Sequence, residues 1–226
     1  MKQNLLAIDT STERATVAIS TQGAIYAEAK MNVRQHAQCL LPMIDQLLIK
    51  AGLTLSELDG IVFGCGPGSF TGLRITSSIV KALAYAHDLP LFPVTSLQAI
   101  AYDVYCTEDN LDQDVGILAM LDARMQEVYW AYFDDNMQSE APQVSPATDV
   151  ILPYRNPFVL AGVGLDGYVQ QLSMDLQSCL LKQRIVFPTA EAMIRLVQLG
   201  NIQSVDAANA LPIYVRNHVT QGEPRG

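Results

Sequence analysis

The sequence is poor in positive charge. Its 226 residues include 14 Lys and Arg against 23 Asp and Glu, which gives a formal net charge of −9. The basic residues are scattered along the chain and form no cluster. Because affinity for nucleic acid comes mostly from neutralised phosphates, we predict that the chain does not bind RNA or DNA tightly by itself. Membership of an assembly in which other subunits bind nucleic acid stays open.

Cysteine is sparse and widely spaced. The four cysteines stand at positions 39, 65, 106 and 179, and no two of them form a Cys-x-x-Cys pair. This spacing predicts neither a zinc site nor a disulfide framework.

Long apolar runs are also missing. The first one, after Asn4, is broken by Asp9, and no stretch approaches the ~18 residues that cross a membrane. We therefore expect neither a signal peptide nor a membrane-spanning helix, and the cytoplasm is the expected location.

A glycine-rich stretch, residues 64–74 (GCGPGSFTGLR), joins an apolar strand to a long helical pattern. Such a turn presents backbone N–H groups to an anion or to a closely approaching partner backbone. Its glycines at 66, 68 and 72 miss the dinucleotide fingerprint by one residue, and no Gly-Lys-Ser/Thr follows. Neither a Rossmann site nor a P-loop is indicated, and a tight connection with packing glycines is the alternative to an anion site.

The predicted elements occur twice in the same order. The first half contains strands near 5–8, 15–20, 23–29, 60–64 and 91–94, and helices at 34–51, 71–87 and 96–105. Beyond the acidic stretch 107–114 come strands near 117–122, 127–133, 137–145, 158–161 and 184–187, and helices after the glycines at 162–164 and at 189–199. We predict an α/β fold made of two βββαβα lobes, residues 1–106 and 107–226.

The helices at 35–51 and 71–85 are apolar on more than one stripe. A helix packed on a single core needs an apolar arc of about 100°, and both segments exceed it. The excess predicts outer faces that a partner covers, while burial under other parts of the chain is the alternative.

Four motifs, taken together and in order, resemble the bacterial TsaB (YeaZ) family. They are Ile8-Asp9-Thr10-Ser11, Gly66-Pro67-Gly68-Ser69-Phe70-Thr71-Gly72-Leu73-Arg74, Asp122-Ala123-Arg124-x-x-Glu127-Val128-Tyr129 and Pro212-x-Tyr214-x-Arg216. The resemblance runs over essentially the whole chain, and the second and third motifs carry its specificity.

The resemblance implies a duplicated actin-like fold of the sugar kinase, Hsp70 and RNase H-like type. It implies a non-enzymatic partner of the paralogue TsaD, which transfers threonylcarbamoyl to N6 of adenosine 37 in tRNAs that read ANN codons. A TsaE-like ATPase is the other expected partner, and a homodimer is expected when TsaD is absent. No cofactor is expected. A free-standing ATPase or kinase of the same fold, or a protease-type regulator of the paralogue, are the alternatives.

Actin-like ATPases hold phosphates with two turns in which an Asp is closely followed by glycine. The corresponding turns here, residues 9–12 and 122–125, lack that glycine, so we expect little or no ATP hydrolysis. Asp9, Thr10, Gly162 and Gly164 are the candidates for a vestigial nucleotide contact, and an ordinary strand-to-helix turn is the alternative.

The catalytic paralogue holds a metal with two histidines four residues apart on a helix. In this chain Leu40 follows four residues after His36, so we predict no metal site.

Two sets of residues are the predicted functional sites. A network between the halves is predicted around Arg124, with a solvated strand end as the alternative; its members are Asp122, Arg124, Glu127 and Tyr129. The predicted partner interface comprises His36, Leu40, Met43, Leu47, Arg74, Ser78 and Tyr85. Glutamates at positions 40 and 43 are expected to abolish association while the fold survives.

Overall fold

The computed structural model describes residues 3–31, 36–108 and 114–216, without the side chains of residues 36 and 37. The first half consists of β1 (Leu5–Asp9), β2 (Ala15–Thr21), β3 (Ala24–Lys30), α1 (His36–Ala51), β4 (Gly60–Gly66), α2 (Phe70–His87), β5 (Leu91–Thr95) and α3 (Ser96–Thr107). The second half consists of β6 (Gly116–Asp122), β7 (Glu127–Phe133), β8 (Gln143–Pro146), β9 (Phe158–Val163), α4 (Met174–Cys179), β10 (Leu180–Ile185) and α5 (Ala190–Gln198).

The two halves share one sheet topology. The first sheet has the strand order β3-β2-β1-β4-β5 and the second the order β8-β7-β6-β9-β10. In each sheet the first three strands pair antiparallel, and the fourth and fifth continue parallel from the first. The predicted α/β fold with a duplicated unit is confirmed, but the unit is not βββαβα. Each half has five strands, and the helix α1 after the third strand occurs in the first half without a counterpart in the described part of the second.

The helices α1 and α2 cover one face of the first sheet. Helix α2 begins after Ser69, whose Oγ accepts a hydrogen bond from the backbone N–H of Gly72 at 3.3 Å, and ends at Asp88 in the left-handed conformation. Buried side chains recur every three or four residues along both helices and meet Ile8, Val17 and Phe63 of the sheet. This packing forms the largest core of the chain.

The last helix of each half crosses to the other half. Helix α5 lies on β1, β2 and β4 of the first sheet, where Met193 and Ile194 are fully buried. Helix α3 lies on β6 of the second sheet, where Ile100 and Val104 contact its core. The predicted division at residue 106 therefore runs between the two sheets but does not separate two independent cores.

The opposite face of the second sheet carries no long helix. Irregular chain and α4, between residues 147 and 179, cover Trp130, Tyr132 and their neighbours. The helix predicted after Gly164 is reduced to the six residues of α4, and the strand predicted at 184–187 is β10, which begins earlier, at Leu180. Within the described ranges, no helix has the length and apolar character needed to cross a membrane.

Candidate functional site

The turn after β1 carries a buried carboxyl group. Asp9 is fully buried, and its Oδ1 accepts hydrogen bonds from the backbone N–H of Ser11 at 3.1 Å and from the Ser11 hydroxyl at 2.9 Å. Its Oδ2 has no hydrogen-bond partner among the described residues. Burial raises the pKa of the Asp9 carboxyl to about 7, and the two hydrogen bonds offset only part of that rise.

The glycine-rich loop between β4 and α2 closes directly onto this turn. The backbone N–H of Ser69 donates to the carbonyl of Ser11 at 2.7 Å. A methyl group on Gly72 would overlap the carbonyl oxygen of Thr10, and one on Gly64 would overlap the Asp9 carboxyl. The glycines are therefore needed so that two parts of the same chain can approach, which is the packing alternative to an anion site.

The Thr10 side chain completes the closure. Its hydroxyl donates to the carbonyl of Gly72 at 2.8 Å and lies 2.6 Å from the Thr76 hydroxyl. Asp9 and Thr10 are both fully buried under α2 and its preceding loop. A nucleotide contact at Asp9 and Thr10 stays a prediction.

The corresponding turn of the second half is more open. Asp122 ends β6, and its Oδ1 accepts from the backbone N–H of Arg124 at 2.8 Å and from the Tyr168 hydroxyl at 3.0 Å. Gly164 lies beside the Asp122 side chain at φ +71°, and the Cα of Gly162 faces the Met120 carbonyl. Chain packing accounts for both glycines, and nucleotide contact at Gly162 and Gly164 stays a prediction.

Arg124 is not the centre of a network between the halves. Its side chain is 88% exposed and pairs with Asp122, two residues away, at 3.2 Å. Residues 124–126 all adopt the left-handed conformation, which turns the hairpin outward and carries Arg124 into solvent. Tyr129 is half-buried against the α3 side of the second sheet.

Arg216 makes the connection that Arg124 was predicted to make. It forms an ion pair with Glu127 and donates to the Ala123 carbonyl at 3.2 Å. The chain before it lies on the first half, where the Ile213 N–H donates to the Cys65 carbonyl at 2.7 Å. Residues 201–216 thus form a C-terminal segment that joins the two halves. The Pro-x-Tyr-x-Arg motif marked Arg216, but spacing alone does not indicate its partner.

Three of the predicted interface residues belong to the core. Leu40, Met43 and Leu47 are buried against the first sheet, so the prediction that they contact a partner is wrong. Glutamate at position 40 or 43 would bury a charge and destabilise the fold instead of testing association. The side of α1 that carries these three residues faces the first sheet, where they pack with Ile8 and Phe63.

Three of the other predicted residues lie on the outer side of α2. Arg74, Ser78 and Tyr85 are exposed on α2, and a contact between them and a partner stays a prediction. His36 begins α1, and its side chain lies outside the described part of the structure.

Other apolar and aromatic side chains are also exposed on α1, on α2 and in the C-terminal segment. Leu41 and Ile49 are exposed on α1 by 50% and 80%, and Tyr85 by 87%. At the start of α2 the Arg74 guanidinium lies 3.8 Å from the centre of the half-exposed Phe70 ring. The Phe70 and Tyr214 ring centres are 5.8 Å apart. We call this set the docking surface; its members are Leu41, Ile49, Phe70, Arg74, Ser78, Tyr85 and Tyr214.

Acidic side chains and thiols are the groups among the described residues that hold metals or react as nucleophiles in other proteins. They contain no group of three or more His, Cys, Asp or Glu side chains that is placed to hold a metal ion. Cys65 is buried beside Asp9, and burial raises the pKa of its thiol to about 12. A thiol of that kind is a poor nucleophile.

Comparison with known proteins identifies the relatives of the chain. Residues 19–188 match the family model described as TsaD, tRNA N6-adenosine threonylcarbamoyltransferase. The tRNA threonylcarbamoyladenosine biosynthesis protein TsaB of Haemophilus influenzae is 34% identical, over 96% of this chain and 94% of that protein. TsaB of Escherichia coli is 30% identical over 95% of both.

The solved structure of YeaZ from Pseudomonas aeruginosa matches with a TM-score of 0.85 at 34% identity, covering 94% of this chain and 99% of that one. The chain therefore belongs to the TsaB (YeaZ) family and has the duplicated, TsaD-like and actin-like fold.

Proposed function

We propose that this protein is a non-catalytic subunit of the complex that transfers threonylcarbamoyl to N6 of adenosine 37 in tRNAs reading ANN codons. It docks on a TsaD-like catalytic paralogue and activates it, and a TsaE-like ATPase joins the pair. The protein takes part in tRNA threonylcarbamoyladenosine biosynthesis, as the full-length similarity to proteins of that name supports.

The closed first turn carries the non-catalytic part of the proposal. An actin-like ATPase needs free N–H groups and an accessible carboxylate where its two halves face the phosphates. Here the Ser69 N–H and the Thr10 hydroxyl donate hydrogen bonds to carbonyl groups of the protein's own backbone, and Asp9 is buried. These three groups are therefore engaged or buried within the protein itself, which supports a non-catalytic role.

The docking surface supports the activating role. Its members include exposed Leu, Ile, Phe and Tyr side chains and Arg74, which lies on the Phe70 ring. Aromatic residues and Arg are enriched at protein interfaces. A TsaD-like partner is the proposed occupant. A second copy of this chain is expected on the same surface when that partner is absent.

Reconstitution by omission tests the function. The purified protein, TsaD, TsaE, threonylcarbamoyl adenylate and tRNA are mixed, one component is left out at a time, and threonylcarbamoyl incorporated into tRNA is measured. We expect incorporation to require this protein, and the protein alone to hydrolyse no ATP.

The alternatives give different results in the same experiment. A free-standing ATPase or kinase would turn over ATP without TsaD, and a protease-type regulator would cleave TsaD. Full incorporation in the absence of this protein would contradict the proposal.

A further inference from the structure

A groove opens on the outer face of the second half, on the side of the sheet opposite α3. It consists of two adjoining cavities of about 320 Å³ and about 210 Å³. Both cavities are lined by Ile151, Leu152 and Tyr154, so they adjoin along these three residues. The combined size is in the range of small-ligand sites.

The backbone explains why the groove exists. Strand β8 pairs with β7 only as far as Gln143, opposite Trp130, and the chain returns to β7 at a single bridge between Ser139 and Phe133. Residues 140–142 lie between these two points and leave the sheet edge. The edge strand thus detaches over the first cavity, and the loop at 150–154 forms the opposite wall.

Two aromatic side chains form the floor of the first cavity. Trp130 and Tyr132 are both almost fully buried, and the Trp130 indole N–H donates to the Ser145 hydroxyl at 3.0 Å. That hydrogen bond holds the indole in one orientation. The wall is aliphatic and aromatic, with Ile151, Pro153 and Tyr154 exposed along it.

The rim of the first cavity is negative. Asp134 and Glu140 line it, and no Lys or Arg is among its described lining residues. Burial raises the pKa of the Tyr132 hydroxyl, and the charges of Asp134 and Asp135 add to that rise. In the second cavity the one basic residue, Arg155, already pairs with Asp175 at 2.8 Å. The groove therefore offers negative charge that nothing in the described chain neutralises.

We propose that this groove binds an organic cation carried on an aliphatic chain. The apolar wall suits a methylene stem, and the rim carboxylates suit an ammonium or guanidinium head. A bare metal ion fits less well, because no group of three or more candidate ligands occurs among the described residues. Two sources share this chemistry: a lysine or arginine side chain of a partner protein, and a free polyamine.

The fluorescence of Trp130 tests the proposal directly, because it is the single tryptophan of the protein. The full chain is titrated with N-acetyl-arginine amide, with spermidine and, as the neutral control, with N-acetyl-citrulline amide. We expect saturable emission changes with the two cations and none with citrulline amide. Tighter binding of spermidine points to a free polyamine, and tighter binding of arginine amide to a protein side chain.

Charge-removing variants locate the site. Glu140→Gln and Asp134→Asn are each expected to raise the Kd for the preferred cation by about two- to fivefold, as for exposed ion pairs. Glu13→Gln, an equal change of charge at an exposed position between β1 and β2 in the first half, is expected to leave the Kd unchanged. Because Asp134 also accepts hydrogen bonds from the backbone N–H groups of Asn136 and Gln138, Glu140→Gln is the cleaner test. Equal binding of citrulline amide, or a Glu140→Gln variant that binds like the unmodified protein, would overturn the proposal.

Discussion

At the scale of single residues, the Asp9 carboxyl is a buried group at a position that the family resemblance assigns to phosphate binding. It accepts hydrogen bonds within its own turn, and its second oxygen faces Gly64 without a partner among the described residues. A buried carboxyl in such surroundings favours its neutral form. The contacts that the described residues make with this carboxyl lie within a turn that the glycine-rich loop covers.

The pKa of Asp9 predicts a pH dependence of stability. The pKa is about 7 in the folded protein against an ordinary value of 3.8, so between these values the folded state holds a proton that the unfolded chain has lost. The stabilising effect is fully present below the ordinary pKa and is lost as the pH rises through 7, at up to about 1.4 kcal/mol per pH unit.

Asp9→Asn removes this titration. We expect urea unfolding curves recorded from pH 4 to pH 8 to show a flatter pH profile for the variant, while Glu13→Gln keeps the profile of the unmodified protein. Parallel profiles for Asp9→Asn and the unmodified protein would mean that Asp9 is charged in the folded state.

The ion pair between Arg216 and Glu127 predicts an energetic coupling between the C-terminal segment and the second half. Both side chains are partly buried, so the pair is screened less than one in open solvent. A double-mutant cycle with Arg216→Ala and Glu127→Ala is expected to give a coupling energy of about 0.5–2 kcal/mol in denaturant unfolding.

Arg124 and Asp122 provide the comparison, since the Arg124 side chain is 88% exposed. Their cycle is expected to give less than about 0.5 kcal/mol. A larger coupling for this pair than for Arg216 and Glu127 would mean that partial burial does not strengthen the Arg216 ion pair.

At the scale of elements, neighbouring residues of α1 have opposite roles. Leu40 is fully buried against the first sheet, and Leu41 is half exposed on the docking surface. Leu40→Ala is expected to lower the free energy of unfolding by about 2–5 kcal/mol, and Leu41→Ala by less than about 1 kcal/mol.

For association with a partner we expect the opposite order of effects from these two substitutions. By light scattering and by capture on immobilised TsaD, Leu41→Ala is expected to weaken binding, while folded Leu40→Ala binds as before. If Leu41→Ala has no effect on either partner, the outer face of α1 is not part of the interface.

The same two helices show how far sequence reasoning reaches. Apolar periodicity predicted α1 and α2 close to their observed bounds, and their excess of apolar residues predicted an exposed face as well as a buried one. Periodicity did not predict which stripe faces the sheet. That choice depends on where β2, β3 and β4 lie, which is a matter of long-range packing.

At the scale of the whole molecule, the crossed helices make the two halves one folding unit. Helix α5 supplies core side chains to the first sheet and α3 supplies them to the second. The duplicated topology could be predicted from the repeated order of elements. The packing of α3 and α5 on the opposite half could not, because the apolar pattern of a helix is the same whichever sheet it covers. Motif matching likewise marked Arg216 without showing its partner.

The exchange predicts that neither half folds alone. Residues 1–106 lack α5, and residues 107–226 lack α3, so each would expose the face that the missing helix covers. Each fragment is expected to show poor amide dispersion by NMR and no cooperative unfolding, and mixing or co-expressing the two is expected to restore both. A cooperative transition in either isolated fragment would mean that its sheet is stable without the exchanged helix.

We propose that this protein works through its docking surface and not through the carboxylates of Asp9 and Asp122. Ile49 and Ile185 are a matched pair, since each is 80% exposed, one on the docking surface and the other at the end of β10. The most direct measurement is TsaD-dependent threonylcarbamoyl transfer to tRNA with Ile49→Glu, Ile185→Glu and Asp122→Asn. We predict that Ile49→Glu weakens association about tenfold or more and lowers transfer in proportion, while Ile185→Glu and Asp122→Asn keep both. Loss of transfer in Asp122→Asn with association intact would contradict the claim.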